Sequence, residues 1–270
     1  MFLLIQKYMR YKITLSYSGA PYCGWQSQDN APTVQGEVER ALALLLGGPV
    51  KVTGAGRTDT GVNALAYPAH FDTDIPIDAT YLLYKLNAIV GKGIAFHSIE
   101  RCHDGFHARF DATKRTYNYF IHRKKDPFMD EFSYFYPYGL DVAAMNEAAA
   151  LLKGEMDFSA FEKTGADNAT SVCNVFSAGW KNYVPSHLSA CGLAPEDNGD
   201  YLVFEISANR FLRNMVRAIV GTLLEIGRGK HGPEWITGVI ASKDRGKAGQ
   251  SVPGKALFLT RVDYPDKNEI

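Results

Sequence analysis

Three stretches of this sequence hold residue types that could do chemistry. The first is the loop Gly54-Ala55-Gly56-Arg57-Thr58-Asp59-Thr60-Gly61-Val62. Its glycines let the backbone approach a ligand closely, and they flank one charged pair, Arg57 and Asp59. A single carboxylate on a loop can serve as a nucleophile or a general base. A nearby cation keeps it ionised. The loop is not a Walker phosphate loop, because no Gly-Lys-Ser/Thr follows. Nor is it a dinucleotide fingerprint, because the third glycine is misplaced and the βαβ context is missing. A plainer reading stands beside the chemical one: a hairpin turn capped by the side chain of Thr58 or Asp59.

The second stretch is Lys114-Arg115-Thr116-Tyr117-Asn118-Tyr119-Phe120-Ile121. Tyr119 and Ile121 read as a core face. Tyr117 lies nearer the strand start, beside Lys114 and Arg115. An aromatic ring among cations at a strand edge suits base stacking, worth about 1–3 kcal/mol per base. His107-Ala108-Arg109-Phe110 upstream and Arg123, Lys124 and Lys125 downstream make the neighbourhood basic.

The third stretch, Asn209 to Gly221, reads as a helix. Phe211, Met215, Ile219 and Leu223 form one apolar row, and Leu212, Val216, Val220 and Leu224 form the next. Arg210, Arg213 and Arg217 then share the remaining face. Such a row is usually solvated. On a helix this apolar, though, an arginine needs an anionic partner, because an unpaired buried charge costs several kcal/mol. A phosphate or Asp59 would serve. Metal chemistry has less support. Of the 7 histidines, only His103 and His107 cluster with a cysteine, Cys102, and Gly105 interrupts them. No metal site is expected.

These residues need elements to position them. Ile13, Leu15 and Tyr17 alternate with Lys12, Thr14 and Ser16, which predicts a strand over 11–17. Thr33 opens a helix through Val34, Val38, Leu42 and Leu45, and Gly47-Gly48 stops it. A strand over 66–71, a helix capped by Asp78 and a strand over 94–100 follow. The second part repeats the theme. Strands are predicted over 115–122, 171–180, 201–207 and 257–262. Helices are predicted from Asp141 to Gly154, over 209–226, and from Pro233 through Ile240. Lys181 to Gly199 reads as a long exposed hairpin loop. The expected fold is α+β: two ferredoxin-like (split βαβ) halves with mainly antiparallel sheets, forming a central cleft. The expected division is an N-terminal extension over 1–10, a half over 11–105 carrying the Asp59 loop, and a half over 106–270.

Composition bounds the partners. The 270 residues carry 29 Lys+Arg and 29 Asp+Glu, a net charge of +0. That excludes a globally basic coat protein and an acidic solvating chain. Nucleic-acid binding stays open, because the local field matters. A chain of this length buries roughly 70–75% of its unfolded surface and needs no disulfides. Its 4 cysteines contain no C-x-x-C pair and read as reduced thiols. The apolar run Phe2-Leu3-Leu4-Ile5 is too short for a signal segment, and no run approaches the roughly 20 residues of a membrane span. A soluble cytoplasmic protein is expected.

Taken together, the blocks resemble the tRNA pseudouridine synthase A family. They are Tyr22-Cys23-Gly24-Trp25-Gln26-Ser27-Gln28 with Thr33-Val34-Gln35, Gly56-Arg57-Thr58-Asp59-Thr60-Gly61-Val62, Phe106-His107-Ala108-Arg109-Phe110, and Arg115-Thr116-Tyr117-Asn118-Tyr119. Asp157-Phe158-Ser159-Ala160-Phe161, Met215-Val216-Arg217 with Gly221, Ala248-Gly249, and Ala256-Leu257-Phe258-Leu259 complete the likeness. The resemblance implies isomerisation of uridine to pseudouridine at tRNA positions 38, 39 and 40, in the anticodon stem-loop. It places the catalytic aspartate on Asp59, the active-site tyrosine on Tyr117, and the aspartate's basic partner on Arg217. It implies that the central cleft is RNA-binding, and it implies no cofactor, a homodimer, and tRNA as partner. Substrate contacts are expected from Tyr117, Arg57, Thr58, Leu257, Arg109, Lys114, Arg210 and Arg213. Two other classes compete. A non-catalytic RNA-binding module with RRM-like halves would not need Asp59. A phosphoryl-transfer enzyme with an aspartyl intermediate would need Mg²⁺.

Overall fold

A computed structural model describes residues 8–165, 169–193 and 199–265. The chain forms two units. The first comprises Met1–Thr113 with Leu259–Ile270, and the second Lys114–Phe258.

The first unit runs Met9–Tyr17 (β1), Val34–Leu46 (α1), Val52–Gly54 (β2), Asn63–Thr73 (β3), Ala79–Ile89 (α2) and Ile94–Arg101 (β4). β1 pairs antiparallel with β3 on one side and β4 on the other. β2 pairs antiparallel with β3 from Val52↔Phe71 to Gly54↔Ala69. The order β4-β1-β3-β2 in a βαββαβ chain is the split βαβ arrangement. The alternation along β1 is the cause of its placement: Ile13, Leu15 and Tyr17 are buried, while Lys12, Thr14 and Ser16 keep the other face partly open. α1 begins where Thr33 Oγ1 accepts the Gly36 amide at 3.3 Å. It ends at Gly47, whose φ of 76° favours glycine. α2 begins where Asp78 Oδ1 accepts the Tyr81 amide at 3.0 Å.

The second unit runs Lys114–His122 (β5), Tyr134–Phe135 (β6), Val142–Ala150 (α3), Gly154–Asp157 (β7), Val172–Asn182 (β8), Ser186–Ala190 (α4), Tyr201–Ala208 (β9), Met215–Gly227 (α5) and Trp235–Ser242 (α6). Its antiparallel order is β5-β9-β8-β7. β9 thus separates β5 from β8, the split βαβ pattern a second time. β6 pairs parallel at Ile121↔Tyr134. The last strand, Leu257–Asp263 (β10), starts in the second unit, where Phe258 meets Phe120 edge-on at 5.4 Å. α5 packs almost entirely inside, with Met215, Ala218, Ile219, Val220 and Leu223 fully buried. The α+β fold with mainly antiparallel pairing is therefore as expected.

Four expectations need correcting. The boundary lies after Thr113 rather than after residue 105, and the first unit takes back the end of the chain. The cause is a set of contacts: the Thr113 amide donates to Asp263 O at 2.9 Å, the Tyr264 hydroxyl donates to Ala108 O at 2.6 Å, and Lys12 Nζ lies 4.9 Å from the Tyr264 ring centroid. The 1–10 extension shrinks as well. Met9 and Arg10 are strand residues, and Arg10 grips both oxygens of Asp72 at 2.7 Å; residues 1–7 lie outside the described residues. The 181–199 loop contains α4, and its Pro195 and Asp197-Asn198 lie outside the described residues.

The fourth correction concerns the helix expected over 209–226, which starts only at Met215. Asn209 is claimed by the sheet. Its amide donates to Asn174 O at 3.0 Å, and its Oδ1 accepts the Asn174 amide at 2.9 Å. Asn214 then turns the chain with φ 69°, a conformation asparagine tolerates better than most residues. Arg210 and Arg213 precede the helix, so they do not share a helical face with Arg217.

Candidate functional site

In the first unit, the Asp59 loop is held by an aromatic cluster behind it. Trp25 and Tyr67 have ring centroids 4.1 Å apart, and Tyr17 lies 5.5 Å from Tyr67. Gly54 passes against this cluster. A Cβ there would stand 2.1 Å from the Tyr67 hydroxyl oxygen and 2.6 Å from the Trp25 ring. Beyond it, the Ala55 amide donates to Pro68 O at 3.0 Å, and the Tyr67 hydroxyl donates to Gly56 O. The Trp25 amide donates to Thr58 O at 3.2 Å. The Val62 amide donates to Asp59 O at 3.1 Å, which closes a four-residue turn. Gly61 has φ 77° at the third position of that turn, where a type II turn needs a positive value.

This turn is fixed by backbone bonds, so the hairpin reading and the chemical reading describe the same loop. Side chains alternate along it. Thr58 is buried, and its Oγ1 lies 2.9 Å from the Tyr17 hydroxyl. Arg57 is exposed and donates from Nε to Gln26 Oε1 at 3.2 Å. Asp59 is half-buried. The loop thus presents one carboxylate while its neighbour anchors to the core. Tyr17, Trp25, Tyr67 and Gln26 had no role assigned from sequence, although Tyr17, Trp25 and Gln26 lie in or beside the conspicuous first block.

Arg109 also belongs to this unit. It is exposed, with its guanidinium 5.6 Å from the Phe110 centroid. The turn that carries it is built on histidines. His107 Nδ1 accepts the amides of Arg109 and Phe110, each at 3.2 Å, and His70 Nδ1 accepts the Ala108 amide at 3.1 Å. Burial, with help from Arg10 and His107, pushes the His70 pKa down to about 4, which keeps it a neutral acceptor. Among the described residues, no three His, Cys, Asp or Glu side chains gather as metal ligands would.

In the second unit, Lys114 opens β5, and Tyr117 sits opposite Ile206 of β9. The Tyr117 ring meets Phe211 edge-on, with centroids 5.1 Å apart. The sequence had assigned Phe211 to the buried stripe of a helix. It reaches Tyr117 because the segment before α5 is not helical, a path that Arg115 helps to hold by donating from Nη1 to Asn209 O at 2.7 Å. Arg217 lies in the first turn of α5 and donates from Nε to Val252 O at 2.7 Å. Leu257 is buried at the start of β10. Arg210 is half-buried, and Arg213 is exposed. The downstream basic run is partly spent within the protein: Arg123 donates to Tyr138 O and Gly199 O, and Lys124 pairs with Asp200 at 2.6 Å. Lys125 is exposed.

A family profile described as tRNA pseudouridine synthase matches residues 148–265. The chain is 49% identical to the "tRNA pseudouridine synthase A" of Parabacteroides distasonis, over 96% of this chain and 97% of that one. It is 38% identical to the protein of the same name from Bacillus subtilis, over 95% of this chain and 99% of that one. The crystal structure of a Cbf5-Nop10-Gar1 complex is similar over 93% of this chain and 48% of that chain, with 12% identity and a TM-score of 0.40.

Proposed function

Because this chain belongs to the tRNA pseudouridine synthase A family, we propose that it converts uridine to pseudouridine at positions 38, 39 and 40 of the anticodon stem-loop, with Asp59 as the catalytic carboxylate. The reaction class, isomerisation of uridine in tRNA, is that of the family. The observation that carries the site reading is the Asp59 loop itself: a half-buried carboxylate one residue past an anchored threonine, on a backbone pinned at Gly56, Thr58 and Val62.

A uridine in a stem is stacked and paired, so its C1′ is out of reach. Extrusion costs a few kcal/mol. Exposed Arg57 is suited to the vacated space, and Tyr117 to stacking on the extruded uracil. Asp59 promotes cleavage of the N1–C1′ bond, as nucleophile or as base. The uracil then rotates and rejoins C1′ through C5, which returns Asp59 to its starting form, and the proton lost from C5 is matched by one gained at N1. Atoms balance within the nucleotide, so no external group or redox cofactor enters the equation. Arg217 takes the role of the aspartate's basic partner that the family resemblance assigns to it, Leu257 lines the base, and the buried Thr58 anchors the loop beside the carboxylate. Arg109, Lys114, Arg210 and Arg213 are assigned to the tRNA backbone, which suits recognition by shape. A tRNA substrate supports our assignment of the protein to the cytoplasm, and we assign it a homodimeric state; a single-protomer mass by light scattering overturns that state.

The test is Asp59→Asn with anticodon stem-loop RNA. Loss of pseudouridine with retained RNA binding supports the assignment. Unchanged product sinks it, and loss of neither binding nor modification on removing Mg²⁺ counts against phosphoryl transfer. Mapping pseudouridines in tRNA from a deletion strain, with and without the gene restored, tests the position. Restored modification outside positions 38 to 40 refutes it.

A further inference from the structure

Arg245 is a half-buried arginine whose partners, among the described residues, are all on its own loop. It donates from Nη1 to Ala248 O at 3.4 Å and to Gly249 O at 3.1 Å. It donates from Nη2 to Ser251 Oγ at 2.7 Å. None of these is a carboxylate. The guanidinium therefore gathers the loop 248–251 around itself.

That loop is clamped to α5 at close range. The Gly249 amide donates to Thr222 Oγ1 at 2.9 Å, and a Cβ on Gly221 would stand 1.8 Å from Gln250 O. A Cβ on Gly249 would meet the Gly221 carbonyl carbon at 2.7 Å. Both glycines are required by this backbone-to-backbone approach. Ser251 Oγ also accepts from Asn214 Nδ2 at 2.7 Å, which ties the loop to the residue that starts the helix. One residue on, Val252 exchanges two bonds with a single arginine: its amide donates to Arg217 O at 3.2 Å, and its carbonyl accepts from Arg217 Nε at 2.7 Å.

We infer that Arg245 is a positioning residue for Arg217, acting through the loop 248–252. This rests on the reading that Arg217 takes part in the reaction. Arg245 sets where Ser251 and the Gly249 carbonyl lie. Those fix the Val252 carbonyl, and that carbonyl aims the Arg217 guanidinium. A small displacement of an aiming group costs catalysis rather than binding, by as much as about 100-fold.

The experiment is steady-state and single-turnover kinetics of the full chain with tRNA, for Arg245→Met, Arg245→Lys, Ser251→Ala, Arg217→Lys and Arg217→Ala, singly and combined. The expected result is a kcat for Arg245→Met reduced about 10-fold or more, with KM for tRNA within about twofold and partial rescue by Arg245→Lys. In the Arg217→Lys background, which has no Nε to bond Val252, Arg245→Met should cost little further. Fully additive losses, a change in KM alone, or an unchanged kcat overturn the inference. If Arg245→Met does not fold, Ser251→Ala decides by the same criteria. Full activity in Arg217→Ala would show that the reading of Arg217 itself is wrong, a result distinct from additivity.

Discussion

The hydroxyls of Tyr17 and Thr58 meet at 2.9 Å beneath the loop that presents Asp59. Tyr17 ends the first strand of the sheet, so the carboxylate's neighbour is moored to one of the most buried strands of its unit. Removing either partner costs this buried hydrogen bond, a net of about 0.5–1.5 kcal/mol. Tyr17→Phe and Thr58→Val should each lower stability by about that amount and reduce kcat. The double variant should recover stability relative to the sum, because the single bond they share is lost only once. Urea unfolding and pseudouridine formation measure the two effects; strict additivity in stability contradicts the pairing.

Gly54→Ala tests the packing that sets the loop's approach. The added methyl meets the Tyr67 hydroxyl and the Trp25 ring, neither of which has space to retreat within the cluster. Overpacking of this kind costs about 1–3 kcal/mol. The denaturation midpoint should fall with an unchanged slope. Gly56→Ala, where a Cβ meets nothing within 4 Å, is the control, and equal losses in the two variants would refute the steric account.

Acid sensitivity should begin well above the carboxylate range. The unfolded chain protonates His70 near pH 6.5, whereas the folded chain resists until about 4 because burial disfavours the imidazolium. Stability is therefore full above about pH 6.5 and declines toward pH 4, by on the order of 3 kcal/mol. His122, also buried and also lowered, acts in the same direction. Asp72, Asp126 and Asp157 are held low and lose their contribution only at more acidic pH. Urea midpoints at pH 7.5 and 5.0 should differ less in His70→Gln than in the natural protein. Identical differences rule His70 out.

The cysteines give a chemical test of the same core. Burial pushes the Cys173 thiol up to about 11, while Cys23 and Cys191 are exposed. Alkylation at pH 8 followed by mass spectrometry should mark Cys23 and Cys191 first and Cys173 only on unfolding, because the thiolate is the reactive form. Early labelling of Cys173 in folded protein would contradict its placement.

Much of this fold is legible in the sequence. The alternation of Ile13, Leu15 and Tyr17, the caps at Thr33 and Asp78, and the stop at Gly47 are local signals, and local signals survive tertiary context. The start of α5 was not legible. Phe211 and Leu212 continue the apolar period of the helix, yet the Asn209 backbone and side chain bond to Asn174, a partner 35 residues away. No short-range pattern encodes that bond. Asn214, a residue tolerant of positive φ just before a mostly apolar run, was the available clue. The two-residue β6 and the four-residue β7 carry too few residues to show a period. The arginine and serine behind Arg217 were invisible for another reason: Arg245 and Ser251 act on backbone oxygens and a hydroxyl, which leave no residue-type signature.

The return of residues 259–265 to the first unit has a consequence for synthesis. A ribosome releases the second unit's segment, Lys114–Phe258, as one uninterrupted length. The first unit's opening strands emerge earlier but must wait for Asp263 and Tyr264 to reach Thr113 and Ala108. At about 5–20 residues per second, that wait is roughly 7–30 s. The segment made first is thus completed last. During that interval the ring of Phe106 lacks its Tyr264 neighbour, so nascent chains halted before Leu259 should be cut by protease in the first unit while the second resists.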